Sequence, residues 1–100
     1  MKVKDLEKVL KQSPIVAELF KTLSHPKRLQ ILCFLSMQEH TVGELEQMTQ
    51  CSQSQVSQFL KSLESEGLVS KIIDGKFRRY QLKDQKIKKL MNALYEIYCQ

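Results

Sequence analysis

Three cysteines are the side chains best suited to covalent chemistry in this 100-residue chain: Cys33, Cys51 and Cys99. In a short chain without a secretory signal they are not a disulfide framework. They are free thiols, metal ligands or a redox device. Cys99 sharpens the question, because a thiol in the terminal stretch YEIYCQ is reactive unless something holds or uses it. His25 and His40 are isolated and have no ligand spacing, which argues against a metal. No histidine lies near a plausible nucleophile in sequence, and no glycine-rich phosphate loop appears. The expectation is a non-enzyme without metal or cofactor.

A second set of residues suits recognition rather than catalysis. In SQSQVSQFLK, Ser52, Gln53, Ser54, Gln55, Ser57, Gln58 and Lys61 occupy the polar positions of a helix. Glutamine can bond adenine bidentately in the major groove, and serine suits several bases. A merely solvated helix face would more often be rich in Glu and Lys. The surplus charge has a place as well. The net charge is +5, and Lys71 to Lys89 holds eight bases against Asp74 and Asp84. A basic patch of this kind is the footprint of a polyanion.

These side chains need elements to carry them. Val3, Leu6, Val9 and Leu10 give a short amphipathic helix, and Ser13-Pro14 reads as a restart, with Ser13 as N-cap and Pro14 at the first helical position. Ile15, Val16, Leu19, Phe20 and Leu23 then continue at helical spacing. Ser24-His25-Pro26 is a further stop and start. PKRLQILCFLSM is apolar nearly all round, so it is the central buried helix.

Thr41 with Glu44, and Ser52 with Gln55, are capping boxes for two helices joined by the turn Thr49-Gln50-Cys51. Leu45 and Met48 give the first of these its inner face. Val56, Phe59, Leu60 and Leu63 do so for the second, which Gly67 ends. LVSKIID and FRRYQL flank an Asp74-Gly75 hairpin signal. In the returning strand Tyr80 and Leu82 look inward, which makes Arg79 the better-exposed base; Arg78 lies nearer the tip and Lys76 at the tip itself. All three suit phosphate or minor-groove contact. Ile87, Leu90, Met91, Leu94 and Tyr98 form the stripe of a last helix over residues 84–99, suited to dimerisation.

The expected fold is mainly α with a small β-hairpin, a winged helix-turn-helix formed by residues 1–100 as a single domain. The second helix of such a pair can enter the major groove of double-stranded DNA. Hydrophobic content is 42% and charged content 27%, ordinary for a soluble protein. No apolar run approaches membrane length and the N-terminus is not a secretory signal, so the expected location is cytoplasmic, away from any membrane.

LSHPKRLQILCFL followed by TVGELEQMTQCSQSQVSQFLKSLESEGLVSKIIDGKFRRYQL resembles the ArsR/SmtB-type bacterial repressors. The resemblance implies a homodimer with the first and last helices at its interface. It also implies binding to an inverted-repeat operator, relieved by an inducer. Metal-sensing members use Cys-x-Cys pairs ahead of the recognition helix or Asp/His/Glu clusters on the last helix. TVGELEQM has no cysteine and the last helix no histidine. ILC, VGELE, the SQS stretch and the C-terminal aromatic-Cys look like the non-metal HlyU and BigR branch. What that branch implies is a dithiol switch, here Cys33 with Cys99, oxidised or persulfidated. Cys51, Phe59 and Arg78-Arg79 depart from the branch pattern. Two further readings remain open: a DNA-binding regulator of the same fold without a thiol switch, and a winged-helix protein-interaction module.

Overall fold

The computed structural model describes all residues from 1 to 100; after a short 3-10 turn at Val3–Asp5, one helix, α1, runs from Leu6 to Leu23. The expected restart at Ser13-Pro14 does not occur, and Ser13 is not an N-cap. Pro14 lacks the N–H that would donate to the Leu10 carbonyl, but this part of α1 is exposed, so water can satisfy that oxygen. The Ser13 hydroxyl turns back and donates to the Val9 carbonyl.

His25, in extended conformation, caps α2 (Pro26–Met37): its Nδ1 accepts the Lys27 N–H at 3.2 Å, and Pro26 takes the first helical position. Ile31, Leu32 and Leu35 of α2 are buried, as expected of a central helix. They meet Leu45, Val56, Leu60, Leu63, Val69 and Met91 in one core.

Both capping boxes form. Thr41 and Glu44 exchange bonds at 2.9 and 3.1 Å to open α3 (Val42–Thr49), and Ser52 and Gln55 do so at 3.0 and 3.2 Å to open α4 (Gln53–Ser65). The turn between them is closed by Gln50 in the left-handed region at φ +60. Met48, expected on the inner face of α3, is exposed. Thr49 is buried instead, its hydroxyl satisfied by the Leu45 carbonyl at 2.6 Å. The helix is only eight residues long, and Leu45 is its one fully buried apolar side chain.

Gly67 at φ +76 ends α4 and turns the chain into the wing. Strand β2 (Val69–Asp74) pairs antiparallel with β3 (Phe77–Leu82) from Val69↔Leu82 to Asp74↔Phe77, leaving Gly75-Lys76 as a two-residue loop. A third strand, β1 (His40–Thr41), pairs with the other edge of β3 and was not foreseen. The order β1-β3-β2 ties the start of α3 directly to the wing. Helix α5 (Gln85–Tyr98) then packs Ile87 and Met91 against α2 and the core. This is a winged helix-turn-helix, with α4 in the place of the recognition helix.

Candidate nucleic-acid interface and thiol pair

The wing and α4 enclose an open groove of about 660 Å³. From α4 it takes Gln53, Ser57 and Lys61, and from the wing Lys71, Lys76 and Arg78. Helical periodicity explains the first three: Val56, Leu60 and Leu63 face the core, so positions 53, 57 and 61 line up one above another on the free side. Lys71 belongs to the basic run, and strand register places it opposite Tyr80, with Nζ 5.9 Å from the ring centre. Four cationic side chains and one acid, Glu64, therefore border a face that Gln53 and Ser57 floor with neutral donors and acceptors. Such a surface can hold phosphates at its edges and read bases along its helix.

The other sequence-derived residues divide. Ser54 and Gln58 are exposed on α4 beside the groove. Ser52 and Gln55 are also exposed, but each serves the capping box: Gln55 Oε1 accepts from both the backbone N–H and the hydroxyl of Ser52. Phe59 is half-buried and packs tilted against His25, with ring centres 4.8 Å apart and planes at 54°, so it joins α4 to the head of α2.

Arg78 and Arg79 exchange the roles expected of them. Arg79 is the less exposed of the two, with its guanidinium 4.0 Å from carboxylates of both Glu39 and Glu44. Arg78 is exposed and faces the groove. The alternation of β3 is as expected, and the unforeseen element is β1. Strand β1 sets Thr41 opposite Arg79 and brings two acids onto that face. Tyr80 and Leu82 do turn inward, but Arg78 on the same face lies toward the tip, past the end of the core.

Glu44 is the electrostatic centre of this corner. The Thr41 backbone N–H, then the Thr41 hydroxyl, hold its carboxyl below the usual range, against a smaller effect of desolvation; His40 adds to the lowering. His40 itself is buried, with Nδ1 3.5 Å from Glu44. No three His, Cys, Asp or Glu side chains gather where they could hold a metal ion.

The thiols lie elsewhere. Cys33 on α2 and Cys99 at the end of α5 line one cavity of about 700 Å³ between those helices, with Phe34, Met37, Leu94 and Tyr98. Cys33 is half-buried and its Sγ lies 3.6 Å from Met91 Sδ. Burial, and then the neighbouring Cys99 thiolate, push the Cys33 thiol up. Cys99 is exposed. Cys51 is in the turn between α3 and α4, packed against the core with Sγ 3.8 Å from the Thr49 carbonyl, outside that cavity.

Residues 25–71 match the family described as "Bacterial regulatory protein, arsR family". A biofilm growth-associated repressor of Xylella fastidiosa (strain Temecula1 / ATCC 700964) is 43% identical over 93 residues, which is 93% of this chain and 82% of that protein. The chain belongs to the ArsR family. Its fold agrees with the crystal structure of the transcriptional repressor BigR from Xylella fastidiosa at a TM-score of 0.87 and 42% identity, over 100% of this chain and 99% of that one. The transcriptional activator HlyU of Vibrio cholerae is 35% identical over 96 residues, covering 96% of this chain and 89% of that protein. This ArsR-family chain is accordingly a transcriptional regulator, and its relatives are regulators rather than enzymes. No helix is long and apolar enough to cross a membrane.

Proposed function

We propose that this regulator is a repressor that binds an inverted-repeat operator as a homodimer while Cys33 and Cys99 are reduced, and releases it when the two thiols are oxidised or persulfidated. The observation that carries the switch is the cavity shared by the two cysteines, with Cys33 on a core helix and Cys99 on the last one. A disulfide needs Cα atoms within about 7 Å, and a longer sulfur bridge relaxes that limit. Either bridge would tie the end of α5 to α2.

Two contacts support transmission from there. The Lys27 ammonium on α2 donates to the Thr49 carbonyl at 2.7 Å, holding the end of α3. The Thr22 hydroxyl on α1 donates to the carboxylate of Glu66, which caps the end of α4. A shift of α2 under α5 would thus reach α3 through Lys27, and the end of α4 through α1, which packs on α2. Half-sites lie about 34 Å apart, one DNA turn, so a small rotation at the dimer axis misplaces both recognition helices.

The test is operator affinity of reduced and oxidised protein, with thiol state followed by mass spectrometry. Wild type is expected to lose operator binding on oxidation. Cys33→Ser and Cys99→Ser are each expected to bind and ignore the oxidant, and Cys51→Ser to switch as wild type does. Full affinity of oxidised wild type would leave a DNA-binding regulator without a thiol switch. An absence of salt-sensitive DNA binding would favour a protein-interaction module.

A further inference from the structure

Two large apolar side chains at the tip of the wing stand in solvent. Ile73, near the end of β2, is 72% exposed, and Phe77, the first residue of β3, is 64% exposed. Neither belongs to the hydrophobic core or packs against it. Strand pairing sets Ile73 opposite Arg78 and Asp74 opposite Phe77, so the two apolar side chains leave opposite faces of the hairpin. Strand β2 is also an open edge of the sheet. An apolar side chain on an open edge invites unwanted pairing, and such positions are ordinarily charged or covered. Nothing within the chain covers this tip.

The charge around the tip indicates what does. Lys76 in the loop, Arg78 and Lys71 outnumber the one acid of the hairpin, Asp74. Phe77 borders the same groove as Lys76, Arg78 and the α4 residues Gln53 and Ser57. An apolar group flanked by bases suits DNA, which offers phosphates at the rim of its minor groove and sugars and base steps within. That groove is about 6 Å wide, too narrow for a whole hairpin but open to the side chains of its tip. The tip is slim: Gly75 sits at φ +59, with no atom within 4 Å of where a Cβ would lie. We propose that Phe77 is a wedge that the wing inserts into the minor groove beside the half-site, partly unstacking one base step and bending the operator toward α4. Lys76 and Arg78 hold the flanking phosphates, and Ile73 rests on the sugars of the groove wall. Side chains of this kind kink a duplex toward its major groove, which is where α4 lies. Pyrimidine–purine steps unstack most easily, so Phe77 selects sequence where no hydrogen bond to a base is made. The inference rests on the operator-binding reading above and adds a specificity-determining residue to it.

The test starts with selection from a duplex library of random sequence by reduced full-length protein, as wild type, Phe77→Leu, Phe77→Ala and Phe77→Lys. Wild type and Phe77→Leu are expected to enrich a TA or CA/TG step at a fixed distance outside each half-site. Phe77→Ala and Phe77→Lys are expected to enrich the same half-sites without that step. The duplex selected by wild type is then labelled at both ends, and energy transfer reads its bend. Wild type is expected to bend it by about 20° or more, and Phe77→Ala to leave it nearly straight. Phe77→Ala is expected to bind that duplex about tenfold more weakly, the scale of one lost aromatic–base contact. Phe77→Lys is expected to bind scrambled DNA more tightly than wild type yet leave the duplex unbent, which separates the wedge from charge.

Enrichment of the same flanking step by Phe77→Ala, or a bend that this variant leaves unchanged, would overturn the wedge and leave operator binding intact. A selection in which wild type enriches no half-site would instead overturn the operator reading, and the wedge with it, so the two failures are distinguishable. Sedimentation of Phe77→Ala or Ile73→Ser as a smaller species than wild type would make the tip a contact between copies of the chain, which also overturns the proposal.

Discussion

At the scale of single residues, adjacent side chains have opposite surroundings. Arg78 faces the groove in solvent, whereas Arg79 already has two carboxylates at 4.0 Å. Arg78→Ala is expected to weaken binding to every DNA sequence and to lower the slope of log affinity against log salt by about one. Arg79→Ala should leave that slope nearly unchanged. Anisotropy titrations at several salt concentrations separate the two, and equal slopes for both variants would contradict the assignment. On α4 a similar contrast divides Gln53 from Gln55. Gln53 has its amide free in the groove, so Gln53→Ala is expected to cost about 1–3 kcal/mol on the operator and little on scrambled DNA. Gln55→Ala removes half of a capping box and should lower both affinities together. The polar set on α4 was legible because helical spacing alone separates core from free positions. The exchange between Arg78 and Arg79 was not, because it depends on a strand that pairs from forty residues away.

At the scale of elements, local chemistry carried most of the reading. Thr41/Glu44 and Ser52/Gln55 announce helix starts because the box satisfies orphan N–H groups with side chains three residues apart. Gly67 and Gly75 announce turns because both sit at positive φ. Strand β1 is not legible in the sequence, since two residues have no period of their own and exist as a strand only against β3. Pro14 misled for the complementary reason: a proline usually stops a helix, but an exposed one inside a long helix can lose its hydrogen bond to water's benefit.

The Thr41/Glu44 box also sets a pH dependence. The folded Glu44 carboxyl titrates below its unfolded value near 4.5, so its contribution to stability is complete above that value. It fades as pH falls through the lower folded value. Glu44→Gln keeps an acceptor for the Thr41 N–H and loses the charge. Its side chain is about half exposed at 47%, so solvent screening holds the expected loss near neutral pH to less than about 1 kcal/mol. Urea unfolding of both proteins across the acid range checks this: the curves should converge on acidification, and a constant gap would assign the loss to something other than charge.

At the scale of the whole molecule, the single chain leaves long apolar faces uncovered. Its radius of gyration is 15.0 Å, against about 13 Å for a compact chain of this length. Only 14 of 100 residues are buried. The excess extent and the missing core have one source: α1 buries only Thr22, and Leu6, Leu10, Ile15, Val16 and Phe20 are exposed along it. On α5, Tyr95, Ile97 and Tyr98 are exposed too. An apolar surface on two long helices is the mark of an interface, and the proposed homodimer would cover it with the same surface of a second copy. The apolar spacing of both helices was visible in the sequence. That part of each apolar face has no partner within the chain was not, because periodicity shows that a face is apolar and says nothing of what covers it. Val16→Asp with Phe20→Asp tests this. Both positions border a groove on the outer side of α1, away from Leu19 and Leu23, which meet the protomer core. The double variant is expected to keep its helical circular dichroism and sediment as a monomer. It is expected to lose most operator affinity, since one recognition helix reads one half-site. Non-specific binding per protomer should survive, because the α4–wing groove is untouched. A variant that remains dimeric and keeps operator affinity would remove α1 from the interface.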